Sequence, residues 1–78
     1  MEEIKNVVSK GTIKGKFKGF KNSYTIFEFN DGQKWRQSEV KFVNYFAVNP
    51  EVEVFQKDGK YYLQVKGLEQ TVEVRRIK

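Results

Sequence analysis

The amino-acid sequence predicts an all-β fold, a small antiparallel barrel of five to six strands. Three observations predict it. Short runs alternating apolar and polar residues recur along the chain. Two Asp-Gly pairs, Asp31-Gly32 and Asp58-Gly59, separate such runs, as hairpin turns do. Turn signals fall at short spacing, the pattern of a small sandwich or closed barrel. Closure leaves fewer unpaired edges, which suits a chain of 78 residues.

Residues 1–11 read as a lead-in and 12–78 as a single small domain. Ile4, Val7 and Val8 share one helical face, so residues 2–9 read as a short N-terminal helix or an irregular segment ended by Gly11. Thr12 to Phe20 is the clearest alternation. Ile13, Gly15, Phe17 and Gly19 share one parity, and Lys14, Lys16 and Lys18 the other, as in a strand with one wet face. The inward glycines predict tight curvature or a closely crossing backbone. Lys21-Asn22-Ser23 is a turn, and Tyr24 to Phe29 a second strand with Thr25, Phe27 and Phe29 on one face. Asp31-Gly32 is expected in a type I′ turn, whose central residues both need positive φ. Lys34 to Gln37 follows, with Trp35 inward.

Residues 38–49 are apolar without a clean period. Alternation unites Val40, Phe42 and Phe46, whereas helical spacing unites Val40, Val43 and Ala47. The β-branched and aromatic content favours an extended, partly irregular segment. Asn49-Pro50 is a turn. Val52 to Phe55 and Tyr61 to Lys66 form a hairpin about Asp58-Gly59, with Val52, Val54, Tyr61, Leu63 and Val65 inward. Val72 to Ile77 is the last strand, with Val72 and Val74 inward.

Composition narrows the function. A chain this short buries only about 60–65% of its unfolded surface. With no cysteine, the core stands without disulfides. With no histidine either, no Cys/His metal site and none of the common nucleophile–base pairs can form, and no cofactor is called for. Ser9, Ser23 and Ser38 fall in expected turns without partners. Glu28 and Glu53 face water, where carboxylates are not tuned for acid–base work. Gly11, Gly15 and Gly19 lie along a strand, not between a strand and a helix as a phosphate loop requires. The chain reads as a non-enzyme. Fifteen basic and ten acidic residues leave +5, an excess that favours weak affinity for polyanions. No apolar run is long enough for a transmembrane helix, and the opening residues do not resemble a signal peptide. The expected location is cytoplasmic if the chain is whole, and exported if it is a fragment of a longer protein.

Three segments together carry a resemblance: Gly15-Lys16-Phe17-Lys18-Gly19-Phe20, then Phe27 to Gln37, then Val72-Glu73-Val74-Arg75-Arg76-Ile77. They resemble a widespread bacterial family of small SH3-like β-barrel domains of unknown function. Its pattern is similar to G-x-F-x-G-W, a turn, F-x-L-x-N-G-Q-x-W-x-Q and a final V-x-V-x-R-I. The resemblance spans about residues 13–77. Phe20 stands where the family commonly has tryptophan, and Asp31 is inserted before the turn glycine. The resemblance implies a barrel without catalysis, and relatives that form the terminal domain of longer, often exported proteins. It supplies no functional residues.

Candidate residues therefore come from charge and aromaticity. Lys10, Lys14, Lys16, Lys18 and Lys21 form a row along the first strand and its end. Such a row tracks a phosphate backbone or simply solvates a strand and discourages edge pairing. Tyr24, Tyr45, Phe55 and Tyr62 take outward parity, either as stacking or partner contacts or beneath a cover formed by residues 38–49. The candidate ligand or nucleic-acid surface is Lys14, Lys16, Lys18, Lys21, Tyr24, Arg36 and Tyr62. Gln33 and Gln37 flank Trp35 and are expected to bond backbone groups at an open barrel end. Arg75, Arg76 and Lys78 form a basic, solvated tail. Two readings remain. One is a non-catalytic interaction or structural barrel with a protein partner; the other is a barrel binding single-stranded nucleic acid. Aromatics interleaved with lysines on one open face favour the second, and an apolar patch away from the lysines favours the first.

Overall fold

The structure, a computed structural model, describes residues 6–77 and is all-β, with eight strands and no helix among the described residues. The strands are β1 (Asn6–Thr12), β2 (Lys16–Phe20), β3 (Ile26–Glu28), β4 (Lys34–Gln37), β5 (Val43–Val48), β6 (Glu51–Lys57), β7 (Lys60–Val65) and β8 (Thr71–Arg76). Six form one antiparallel sheet in the order β1-β6-β7-β8-β4-β3. The other two, β2 and β5, pair with each other as a separate antiparallel ribbon.

The large sheet curls until its ends approach. An isolated bridge joins Ile13 to Phe29, just beyond β1 and β3. Asn30 N–H donates to Thr12 O at 2.9 Å, and Lys14 N–H to Glu28 O at 2.8 Å. These bonds tie the two ends without making a continuous closed barrel. The inward faces hold one core: Ile13, Phe17, Phe20, Phe27, Phe29, Trp35, Val52, Val54, Leu63, Val65, Val72 and Val74. Most of it follows alternation, since i and i+2 share a face; on β2 the register shift between Phe17 and Gly19 breaks the period, and Phe20 is buried as well as Phe17. Five aromatic pairs among Phe17, Phe20, Phe27, Tyr45, Trp35 and Tyr61 have ring centroids 5.6 to 6.3 Å apart.

Several expectations are corrected. Residues 6–9 are neither helix nor lead-in but the start of β1, which pairs with β6. The register shifts between Val7 and Ser9, yet Val7 is half-buried and Val8 exposed, so the adjacent valines lie on opposite faces of a strand and not on one helical face. Residues 2–5 of that expected segment lie outside the described residues. Thr12 to Phe20 is not one strand: a bend at Lys14-Gly15 divides it, and Gly15 has φ +81°. There are eight strands rather than five or six, because this division and β5 add to the set.

The two hairpins differ. At Asp58-Gly59 both residues have positive φ, +54° and +78°, between the paired Lys57 and Lys60. That is the two-residue type I′ geometry. The Asp31-Gly32 turn is not type I′. Gly32 alone is left-handed, at +96°; its N–H donates to Phe29 O at 3.0 Å, and Phe29 N–H donates to Gln33 O at 2.8 Å. A three-residue loop with a glycine bulge has this pattern. Residues 43–48 form a regular strand, while 38–42 are irregular.

Candidate functional site

The β2–β5 ribbon is where chemistry-bearing residues gather. Its inner face is anchored. Phe17 and Phe20 of β2 are in the core, and Val43 and Tyr45 of β5 pack against it. Phe17 and Phe20 rings meet edge-on at 5.8 Å. Gly19 lets β2 press onto β5: it has φ +97°, and a Cβ there would collide with the Val43 carbonyl. The expectation of a closely crossing backbone holds at Gly19. At Gly15 it fails, because a Cβ there would meet open space; that glycine serves the bend instead.

The outer face carries the opposite parity. On β5 and the residue before it, Phe42, Phe46 and Val48 are 64%, 62% and 58% exposed, and Val40 is 87% exposed. On β2, Lys16 and Lys18 are exposed. The register sets them side by side. Lys16 is paired with Val48. Lys18 stands opposite a bulge in β5: between the pairs Phe17–Ala47 and Gly19–Asn44 it is the one β2 residue facing two, Tyr45 and Phe46. Beyond the strand, the Lys21 ammonium lies 4.7 Å from the Phe42 ring centroid. Lysines and apolar side chains thus alternate across one open ribbon.

Polar contacts hold the residues that flank the ribbon. Gln37 is fully buried. Its amide donates to Glu39 O at 2.8 Å and Lys41 O at 3.0 Å, and its carbonyl accepts from Lys21 N–H at 3.1 Å. Three backbone groups are satisfied by one side chain, as expected for Gln37. Gln33 differs, bonding side chains. Its Oε1 accepts from the Ser9 hydroxyl at 2.7 Å and from the Trp35 indole at 3.2 Å, and its Nε2 donates to Asp31 at 2.7 Å. Glu39 accepts from Glu73 N–H at 2.7 Å and Lys41 donates to Thr71 O, so both side chains extend the β8 pairing where the backbone leaves it.

The remaining candidates scatter. Tyr24 is 80% exposed in the turn after Lys21, near the end of the ribbon in sequence. Lys14 is exposed at the bend before β2. Arg36 lies on β4, between Ile26 of β3 and Arg75 of β8, and its Nε is buried without a hydrogen-bond partner. Tyr62 is on β7, half-buried and stacked on Phe55 at 5.7 Å. Tyr45 corrects its expected outward parity: it faces the core and reaches Gly67. Ser9 lies within β1 rather than in a turn, and Ser38 donates to the Glu73 carboxylate at 3.2 Å. Arg76, expected in a solvated tail, is exposed and sits 5.9 Å from the Trp35 ring centroid. Phe42, Phe46 and Val48 were missed as site residues; the signal was their shared parity within an apolar segment too rich for one face.

A separate open groove of about 880 Å³ runs beside β1, β6 and the residues after β7. Its rim mixes Lys10 and Lys66 with Glu51, Glu53 and Glu69, and none of the seven candidates lines it. No described helix is long and apolar enough to cross a membrane. No family model, curated protein or solved structure matches the chain.

Proposed function

We propose that the chain is a non-catalytic binding module, a small SH3-like barrel whose ligand surface is the outer face of the β2–β5 ribbon. One observation carries this reading. Phe46 and Val48 of β5, with Phe42 just before it and Val40 in the irregular segment leading to it, expose large apolar side chains, while the alternate residues Val43 and Tyr45 anchor β5 to the core. Scattered exposed apolar residues need no explanation, but a row on one face marks an interaction surface. The absence of histidine and cysteine from the sequence supports a role without catalysis.

The double substitution Phe46→Thr with Val48→Thr tests the reading. Threonine keeps β propensity while removing apolar surface. Residues that face solvent to bind a ligand add little to stability, so unfolding should change by no more than about 0.5 kcal/mol. A loss above about 2 kcal/mol would show that the stripe is packed cover and remove the ribbon as a binding face.

A further inference from the structure

We infer that the ligand of the ribbon is single-stranded nucleic acid, with phosphates on Lys16 and Lys18 and bases on Phe46 and Phe42. The inference rests on the ribbon being the binding face and names what binds there.

Charge segregation is the first support. Between Gly11 and Phe27 stand four lysines and no acid; between Val40 and Pro50 stands Lys41 and no acid. Both ribbon strands are therefore free of carboxylates. The large sheet is not. There Lys10 is paired with Glu53, Lys66 lies 3.0 Å from Glu51, and Lys60 lies 4.0 Å from Glu73. The ribbon and its flanks thus carry lysines and no carboxylate, the complement of a polyanion, whereas on the large sheet basic and acidic residues are mixed, apart from Arg36, Arg75 and Arg76 on β4 and β8.

Arrangement is the second. Residues two apart on a strand repeat at roughly 7 Å, so Lys16 and Lys18 meet successive phosphates of an extended strand. Phe42, just before β5, and Phe46 on it are four residues apart, at most roughly 13 Å along an extended chain, enough for a base between two stacking platforms. A sheet face with exposed aromatics beside a basic track is the general solution for single strands. Lys21 above Phe42 occupies one side of that ring, and its ammonium is within reach of a phosphate beside a stacked base.

Competing occupants fit less well. Lysine is depleted from the centre of protein–protein interfaces, yet here it alternates with the apolar residues. Duplex DNA is read chiefly by a helix or ribbon inserted in the major groove, and no helix is present among the described residues.

The test is fluorescence anisotropy with labelled 12-nucleotide oligo-dT and oligo-U at 50 and 200 mM salt. The wild type should bind more weakly as salt rises. Lys16→Gln with Lys18→Gln should flatten the log–log salt slope by about 1.4, since each single-strand phosphate contributes about 0.7. Phe46→Thr should weaken binding about tenfold and leave the slope unchanged, because it removes stacking and no charge. Lys60→Gln, on the large sheet, should change neither. Equal binding of Phe46→Thr and wild type would overturn the inference, leaving only diffuse attraction. Tighter binding to phosphatidylserine vesicles, sensitive to the same substitutions, would assign the face to a membrane surface. No oligonucleotide binding, with Phe46→Thr/Val48→Thr as stable as wild type, would remove nucleic acid as the ligand while the ribbon stays a binding face.

Discussion

Gly19 brings its Cα so close to the Val43 carbonyl that no Cβ fits between them. The contact joins the ribbon's two strands at the bulge in their register. Its φ of +97° adds a second reason for glycine. Gly15, at +81°, has only the second, since a Cβ there meets nothing. Gly15→Ala should therefore cost about 1–2 kcal/mol, the strain of a left-handed alanine. Gly19→Ala should cost clearly more, because backbone cannot step aside as a side chain does. Thermal denaturation of the two variants checks the order; each kcal/mol shifts the midpoint by about 4–8 °C in a domain this size.

Gln37 holds the chain on both sides of the ribbon, bonding Lys21 N–H, Glu39 O and Lys41 O from a fully buried position. Gln37→Leu keeps much of the volume and strands all three backbone groups. Each buried group left unpaired costs about 1–3 kcal/mol, so the variant should lose at least about 2 kcal/mol. Hydrogen exchange should then speed up at Lys21 before the β6–β7 amides are affected.

Trp35 is 2% exposed, paired across the strands with Phe27, and edge-on to Tyr61 at 5.6 Å. Trp35→Ala should cost about 3–5 kcal/mol. As the only tryptophan, it reports its own burial. Fluorescence emission should be blue-shifted in the native protein and move to the red in a single step on unfolding.

Parity made most of this core legible. Phe17, Phe27, Phe29, Trp35, Val54, Leu63, Val72 and Val74 sit at clean two-residue spacing beside polar neighbours, and all are buried. Where the spacing is spoiled, the reading failed. The consecutive Val7 and Val8 suggested a helical face, whereas in β1 they point to opposite sides, Val7 half-buried and Val8 exposed. Residues 43–48 hid a regular strand because both of its faces are apolar, Val43 and Tyr45 toward the core and Phe46 and Val48 toward solvent. That second apolar face is the candidate surface, so the obstacle to reading the strand was also the trace of the site. Lys16, Lys18 and Lys21 were readable from sequence as one row. Their aromatic neighbours were not, because the β2–β5 pairing joins residues 23 to 32 apart in sequence, from Phe20–Val43 to Lys16–Val48.

Asp31 gives the fold a local pH response. The Gln33 side-chain amide, at 2.7 Å, and then the Gln33 backbone N–H, at 3.1 Å, hold its carboxyl below the ordinary aspartate value. A depressed folded value stabilises the turn at pH above the unfolded value of about 3.9, and the contribution is lost as pH falls through the folded value. NMR titration should show the Asp31 carboxyl carbon titrating below that of a free aspartate. In Asp31→Asn, this part of the acid dependence of stability should disappear.

The most direct measurement is an amide chemical-shift map of the ¹⁵N-labelled protein titrated with 12-nucleotide oligo-dT. Shifts concentrated at Lys16, Lys18, Lys21, Phe42, Phe46 and Val48, with β6 and β7 unmoved, are the expected result. Shifts centred instead on Phe55 and Tyr62, or spread evenly over every lysine of the surface, would contradict a binding face on the ribbon.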